Sequence, residues 1–179
     1  DIGAFLIHFS TDYVFDGRGS RPYPVDAPRD PQGAYGRTKA EGERRLAASR
    51  VPHLLIRTSW LYAPWGKNFV LTMARLTQER ETLRVVDDQR GRPTDARHLA
   101  EASWALRTRG CSGTFHITDG GECTWFELAR FIADEVGAGE RCRIEPCTAA
   151  EWNAPAPRPP YSVLGLEKTE AVLGPTPSW

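Results

Sequence analysis

Short apolar runs alternate along the chain with segments of helical periodicity, and this alternation restricts the fold more than any other feature. Apolar runs of roughly 4–8 residues predict buried strands, whereas apolar residues spaced three and four apart predict helices that face a core. Alternating strands and helices indicate an α/β fold with a mostly parallel sheet. The predicted strands are 4–9, 53–59, 83–86, 114–117 and 142–146, and the predicted helices are 34–49, 68–80, 94–107, 124–136 and 166–173.

Two of the helix starts carry specific capping signals. Thr124 is followed three residues later by Glu127, which is the spacing of a capping box. Asn68 precedes an amphipathic stretch and is a predicted N-cap. Residues 10–34 are rich in glycine, proline and aspartate, and the prolines of 154–160 favour an extended backbone. Both of these segments are therefore predicted to lie outside helices.

The composition excludes several classes of protein. The 179 residues amount to about one average domain. Basic and acidic residues both number 23, so the chain has no general electrostatic affinity for nucleic acid or an anionic membrane. No apolar run approaches the ~18 residues of a membrane span, and the first residues lack the basic segment of a signal peptide. The four cysteines lack the spacing of zinc sites, which predicts reduced thiols in a cytoplasmic protein.

Tyr35 and Lys39 are the sharpest chemical signal in the sequence. They are four residues apart on the predicted helix 34–49 and therefore share one face of it. A tyrosine normally has a pKa near ~10, but an ammonium within ~4–6 Å lowers that pKa by ~1–3 units. A phenol in such a pair can transfer a proton in a reaction. The alternative interpretation is a pair on the helix surface, which the same spacing also produces.

Polar residues also follow two of the predicted strands. Ser10, Thr11 and Asp12 follow strand 4–9, so a hydroxyl and a carboxylate stand at a carboxyl end, where open α/β sheets bind ligands. A hydroxyl donor beside a tyrosine–lysine pair can hold a carbonyl oxygen as charge develops on it. Trp60 follows strand 53–59 and can cover a ligand there. The alternatives are a strand-ending turn and a packing tryptophan.

Four motifs resemble the dTDP-4-dehydrorhamnose reductase family of extended short-chain dehydrogenases/reductases, and the resemblance covers nearly the whole chain. The motifs are STDYVFDG, PYPVDAPRDPQGAYGRTKAEGE, RTSWLYAPWGKNFV and VVDDQRGRPT. The resemblance implies reduction of the 4-keto group of dTDP-4-dehydro-L-rhamnose to dTDP-L-rhamnose by NADPH or NADH. It also implies the later part of a Rossmann-type doubly wound parallel sheet with a smaller α+β substrate-binding region.

The resemblance assigns roles to individual residues. Thr11, Tyr35 and Lys39 match the catalytic set of the family. Tyr35 would donate the proton, Lys39 would tune Tyr35 and bond the nicotinamide ribose, and Thr11 would hydrogen-bond the reacting oxygen. Asp12 and Trp60 match residues that contact the sugar. The residues implied on the cofactor side are Phe9, Tyr35 and Lys39.

Weaker signals point to phosphate binding. Lys67 and Asn68 place a cation and an amide at a helix start, where a diphosphate can bind. Arg92 and Arg158 are candidate phosphate-binding forks. An ordinary N-cap and solvated arginines are the alternatives. The four histidines are scattered and do not predict a metal site.

No glycine-rich dinucleotide motif occurs in the 179 residues. In the family that motif precedes the strand leading into STDYVF, so we expect this sequence to be the later part of a longer reductase and, alone, not to bind NADPH. Residues 1–60 with 94–118 are predicted to be the later half of the Rossmann-type domain, and 61–93 with 119–179 the substrate-binding region. The resemblance also suggests a homodimer and Mg²⁺ at a subunit contact, with no ligands identifiable here.

Three alternatives to this function stay open. The first is a reductase or epimerase of another dTDP-deoxysugar, against which the RTSWLY motif favours the rhamnose branch. The second is a non-catalytic protein like the regulatory subunit of methionine adenosyltransferase, which keeps a related tyrosine–lysine pair but lacks a tryptophan at the position of Trp60. The third is a folded remnant without activity.

Overall fold

Strands and helices alternate in the computed structural model, which describes residues 3–154 and 156–179. The strands are β1 (Leu6–Thr11), β2 (His53–Thr58), β3 (Leu61–Tyr62), β4 (Thr82–Val86), β5 (Arg90–Gly91), β6 (Thr94–Asp95), β7 (Gly113–His116), β8 (Cys123–Thr124) and β9 (Arg143–Cys147). The helices are α1 (Ala34–Ser49), α2 (Phe69–Glu79), α3 (Ala96–Thr108), α4 (Trp125–Glu135), α5 (Ala149–Trp152) and α6 (Glu167–Leu173), and a 3₁₀ turn (Asp12–Val14) follows β1. The predicted α/β fold class is confirmed.

The main sheet is parallel and has the order β1-β2-β7. Side chains alternate between its two faces, as they must in a strand. One face packs against α3 and forms a core of Leu54, Ile56, Leu99, Ala102, Leu106, Phe115 and Ile117. The other face carries Ser10 and Arg57, which contact Glu43 of α1. Helices therefore cover the sheet on both sides, as in a doubly wound fold.

A second core lies around the parallel pair β4-β9, against which α4 packs. Its buried residues are Met73, Val85, Cys123, Leu128, Ala129 and Ile132. The antiparallel pair β5-β8 and the parallel pair β3-β6 join this region to the main sheet. Among the described residues, no helix is long and apolar enough to cross a membrane. All four cysteines carry free thiols.

Several predicted elements agree closely with the structure. Helix α1 has the predicted bounds, the Asn68 side chain accepts a hydrogen bond from Leu71 N–H at 3.0 Å, and Thr124 and Glu127 form the capping box. The prediction for 94–107 was partly wrong, because Thr94 and Asp95 pair with β3 and the helix begins at Ala96. The short strands β3, β5 and β8 were not predicted, since two-residue strands carry no periodicity.

The division into two regions stays a prediction, and one contact bears on it. Helix α6 lies within the segment assigned to the substrate-binding region, yet its Val172 and Leu173 pack against the core of the main sheet. The described residues of 154–160, which exclude residue 155, adopt neither helix nor strand. Residues 1 and 2 of the predicted first segment also lie outside the described residues.

Gly36 is buried where α1 meets the turn after β1, and a Cβ there would overlap the Tyr13 carbonyl oxygen. We expect Gly36→Ala to push α1 away from this turn and to lower the free energy of unfolding by about 1–3 kcal/mol, the usual cost of overpacking. Gly42→Ala in the same helix is the control, because the atom nearest its Cβ is 3.8 Å away. That change should stabilise the protein by up to ~1 kcal/mol. Urea unfolding measures both variants, and a loss of equal size in the two would contradict this account.

Candidate active site

A cleft of about 450 Å³ lies at the carboxyl ends of β1 and β2, where these parallel strands pair Thr11 with Thr58. Seven of the sequence-predicted site residues line it: Phe9, Thr11, Asp12, Tyr35, Lys39, Trp60 and Arg158. Its other lining residues are Ser10, Tyr13, Thr58, Ser59, Leu61 and Trp125. The fold thus brings together most of the residues that the sequence singles out for chemistry.

Tyr35 and Lys39 face the cleft from the first two turns of α1. The Tyr35 side chain remains accessible, with 55% of the residue's surface exposed, and its ring meets Tyr13 edge to face at 6.1 Å between centroids. Lys39 Nζ lies 6.0 Å from the centroid of the Tyr35 ring and donates a hydrogen bond to the Phe9 carbonyl oxygen at 3.2 Å. That bond holds the ammonium at the end of β1, on the side of α1 that carries the Tyr35 ring.

Thr11 and Asp12 form a buried hydroxyl–carboxylate pair beside them. Thr11 Oγ1 donates to Asp12 Oδ1 at 2.8 Å and accepts a hydrogen bond from the backbone N–H of Tyr13 at 3.2 Å. Asp12 Oδ2 is buried without a hydrogen-bond partner among the described residues. Burial raises the pKa of Asp12 to about 6, against the smaller opposing effects of the Ser162 and Thr11 hydroxyls. Asp12 therefore presents a carboxyl group that exchanges its proton near neutral pH.

The raised pKa of Asp12 predicts a specific pH dependence of stability. Between its ordinary pKa of 3.8 and the folded value of about 6, the folded state binds more protons than the unfolded state, so stability falls as pH rises. Asp12→Asn removes this loss, which is about 3 kcal/mol for a shift of this size. We expect Asp12→Asn to match the wild type near pH 4 and to be more stable at pH 7. Thermal unfolding across this range tests it, and a difference that does not change with pH would contradict it.

Trp60 and Trp125 form an aromatic wall of the cleft. Their rings stack with centroids 3.5 Å apart and planes 9° apart. Trp60 has a φ of 45°, in the left-handed region that a bulky residue adopts only under strain. Gly91 lies against its indole, and a Cβ at that position would come within 2.5 Å of Trp60 Cε2. Glycine at position 91 is therefore required to leave room for the Trp60 ring.

A second cavity of about 330 Å³ shares Trp125 and Arg158 with the cleft. Its lining is mostly apolar and comes from α2, β4, α5 and the segments beside them: Phe69, Thr72, Met73, Leu76, Arg84, Val85, Val86, Gln89, Ala149, Trp152 and Ala154. Trp125 was not among the site residues that the sequence predicted. The sequence signal that could have identified it is its position directly after the predicted N-cap Thr124, at the start of a helix.

Three predicted phosphate-binding residues line neither cavity. Asn68 caps α2 and donates to the Ala63 carbonyl oxygen at 2.8 Å, which matches its alternative interpretation. Arg92 donates to the Leu164 carbonyl oxygen at 2.9 Å. Lys67 precedes the helix outside both cavities. Within the described residues, no three histidine, cysteine, aspartate or glutamate side chains cluster as a metal site, so the Mg²⁺ expectation has no support.

The model of the family described as RmlD substrate binding domain matches residues 1–179. The chain belongs to this family. It is 43% identical to the spore coat polysaccharide biosynthesis protein SpsK of Bacillus subtilis, over 94% of the chain and 59% of that protein. It is 45% identical to dTDP-4-keto-6-deoxy-D-glucose reductase of Streptomyces niveus, over 97% and 61% respectively. It is 40% identical to dTDP-4-dehydrorhamnose reductase of Salmonella typhimurium, over 94% of the chain and 59% of that protein.

A solved structure agrees with this assignment. The crystal structure of dTDP-4-dehydrorhamnose reductase from Bacillus anthracis, in complex with NADP, superposes with a TM-score of 0.93 at 36% identity. The match covers 99% of this chain and 63% of that one. The chain therefore spans about three fifths of the length of the relatives it matches. The family resemblance that the motifs indicate is confirmed.

Proposed function

We propose that this site reduces the 4-keto group of dTDP-4-dehydro-L-rhamnose, yielding dTDP-L-rhamnose, with NADPH or NADH as the reductant. The observation that carries the proposal is the meeting of Tyr35, Lys39 and Thr11 in one cleft at the end of the sheet. Relatives named as dTDP-4-dehydrorhamnose reductases and the NADP complex of the Bacillus anthracis protein support it. We further propose that the enzyme is cytoplasmic, and a homodimer stays a prediction.

Reduction adds a hydride to C4 and a proton to O4 of the sugar. A nicotinamide bound in the cleft would supply the hydride. The Tyr35 phenol donates the proton to O4, and the nearby Lys39 ammonium stabilises the phenolate left behind. The Thr11 hydroxyl, which donates to Asp12 in the structure, would turn its proton toward O4 and stabilise the charge that develops there. Asp12 lines the same cleft, and its carboxylate would accept a hydrogen bond from a sugar hydroxyl there.

Phe9, Tyr35 and Lys39 fit the nicotinamide riboside end of the cofactor. Phe9 lines the cleft and leaves 43% of its surface exposed, so its ring can pack against a flat heterocycle. The Lys39 ammonium has three N–H donors, one of which binds the Phe9 carbonyl oxygen. The remaining donors can bind ribose hydroxyls.

Arg158 supports a placement for the rest of the substrate. It lines both cavities, and a guanidinium binds phosphate oxygens through two parallel hydrogen bonds. With the sugar in the cleft beside Trp60, the diphosphate would reach Arg158. The nucleoside would then enter the second cavity, where Phe69 and Trp125 offer apolar walls.

A second candidate is a reductase of another dTDP-4-keto sugar, favoured by the 45% identity to the Streptomyces niveus enzyme. The test compares turnover of dTDP-4-dehydro-L-rhamnose and dTDP-4-keto-6-deoxy-D-glucose by the complete gene product with NADPH. We expect kcat/KM to be at least about tenfold higher for the rhamnose precursor, since a site built for one sugar's hydroxyls rejects others. The opposite ratio would favour the second candidate. Binding of dTDP without turnover of either sugar would favour a non-catalytic protein, against which Trp60 is the present argument.

A further inference from the structure

Glu43 is a fully buried carboxylate, only 1% exposed, that the proposed chemistry does not use. Its Oε1 accepts hydrogen bonds from Ser10 Oγ at 2.6 Å and from Arg57 Nε at 2.9 Å. Its Oε2 accepts from Arg57 Nη2 at 2.8 Å and from Arg29 Nη1 at 3.2 Å. One side chain of α1 thereby ties the ends of β1 and β2 and the loop after β1 to the helix.

The position of Glu43 on the helix connects it to the site. Tyr35, Lys39 and Glu43 follow one another at four-residue spacing and share one face of α1. Lys39 binds the carbonyl oxygen of Phe9, and Glu43 binds the side chain of the next residue, Ser10. Phe9 and Ser10 are the two residues that precede Thr11 in β1. The helix that carries the proton donor is therefore fixed at two consecutive points on the strand that carries the oxygen-binding hydroxyl.

The groups that contact Glu43 keep its carboxylate ionised. Burial alone would raise the pKa of Glu43, but hydrogen bonds from Arg57 and Ser10 outweigh it and hold the pKa below its usual range. Arg57 is itself buried and also donates to the Val25 carbonyl oxygen at 2.9 Å. Burial and the nearby Arg57 lower the pKa of His116 to about 3, so this imidazole is neutral and adds no competing charge. Its Nε2 lies 3.3 Å from Arg57 Nη1.

We propose that Glu43 is a positioning residue, which sets the distance between Tyr35 and Lys39 on α1 and Thr11 on β1. The inference rests on the proposed reduction, because it assigns these three groups to one reacting oxygen. A glutamine at this position has nearly the same size, but its NH₂ group would replace an oxygen that accepts from arginine. Whichever oxygen the NH₂ group replaces, at least one arginine N–H would then face another donor, and α1 would have to shift.

The first test is steady-state kinetics of Glu43→Gln in the complete gene product. We expect kcat to fall at least about tenfold while KM for the dTDP-sugar changes less than about twofold, because misplacement of reacting groups affects the chemical step. Glu41→Gln is the matched control. It makes the same change two residues away, at a side chain that is 41% exposed and pairs with Arg44 and Arg45. We expect Glu41→Gln to leave both constants unchanged.

A second control separates positioning from general loss of stability. Leu106→Ala empties part of the main core, which lies on the opposite face of the sheet from Glu43. We expect it to lower the melting temperature without lowering kcat at a temperature where the variant is folded. If Leu106→Ala and Glu43→Gln lose kcat equally for an equal loss of stability, the role of Glu43 is only structural and the proposal is overturned.

A direct readout of Lys39 needs no catalysis. In the complete gene product labelled with ¹³Cε-lysine, the signals of Lys39, Lys67 and Lys168 are each assigned by their loss in the corresponding lysine-to-arginine variant. We expect Glu43→Gln to move the Lys39 signal and leave the other two in place, whereas Glu41→Gln should move none of them. An unchanged Lys39 signal in folded Glu43→Gln would overturn the proposal. The NMR test of Glu43 does not depend on activity. If the wild type reduces no sugar, the proposed function fails, but the Lys39 signal still tests the positioning role.

Ser10→Ala provides a milder variant if Glu43→Gln does not fold. It removes only the 2.6 Å hydrogen bond between the strand end and Glu43 and leaves the arginine pairs intact. We expect kcat to fall by about threefold or more, with the Lys39 signal moving and KM for the dTDP-sugar nearly unchanged. Wild-type kcat together with an unmoved Lys39 signal would overturn the proposal.

Discussion

Replacing Tyr35 with phenylalanine is expected to lower turnover of the dTDP-4-keto sugar by about 10²–10⁴-fold, the usual contribution of a general acid. The substitution removes the hydroxyl that would protonate O4 but keeps the ring that packs edge to face against Tyr13. Binding of the dTDP-sugar should therefore change little. Steady-state kinetics with the complete gene product, together with calorimetric titration of the ligand, measures the two effects separately.

Tyr13→Phe is the comparison that makes this result specific. Tyr13 lines the same cleft, but burial and the neighbouring Asp12 raise the pKa of its phenol to about 12, which makes it a weaker acid. We expect Tyr13→Phe to lower turnover much less than Tyr35→Phe does. Turnover of Tyr35→Phe within about threefold of the wild type, or a larger loss in Tyr13→Phe, would contradict the assignment of the proton donor.

Trp60→Ala is expected to raise KM for the dTDP-sugar by about 10–100-fold, which corresponds to the burial energy of a large apolar side chain. KM for NADPH should change far less, since Trp60 stands at the end of β2 on the proposed sugar side, whereas Phe9 and Lys39 would hold the cofactor. The substitution also removes the ring on which Trp125 stacks.

Trp104→Ala is the matched control for this result. Trp104 lies on α3 and is 67% exposed, outside both cavities. Its loss should change neither constant. If Trp60→Ala raised both KM values equally, Trp60 would only support the fold.

The local features of this fold were predictable because their causes are local. Helix α1 has its predicted bounds since alanine, glutamate, arginine and leucine dominate 34–49, and all favour helix. Asn68 and Thr124 marked helix starts because capping joins side chains to backbone groups within three residues. The roles of Thr11, Tyr35 and Lys39 came from the family resemblance, whereas their proximity follows from the parallel sheet. Strand ends meet at one edge of a parallel sheet, which brings Thr11 near the helix that carries Tyr35.

What the sequence did not show depends on contacts between distant segments. Arg57 and Glu43 are 14 residues apart and meet only because α1 packs against β1, the strand that pairs with β2. Arg92 and Arg158 were both predicted to bind phosphate, and each directly precedes a proline, but the Arg92 guanidinium binds the Leu164 carbonyl oxygen. A side chain able to bind phosphate can equally bind a carbonyl oxygen, and only the three-dimensional fold decides between them.

Transfer of deuterium from NADPH labelled at C4 of the nicotinamide tests the central claim most directly. The complete gene product is incubated with the labelled cofactor and dTDP-4-dehydro-L-rhamnose, and the product is analysed by mass spectrometry and NMR. The site built by Tyr35, Lys39 and Thr11 predicts dTDP-L-rhamnose with deuterium bonded to C4 of the sugar, and loss of that product in Tyr35→Phe. Absence of labelled product from the wild-type protein, or deuterium at another carbon, would contradict the account.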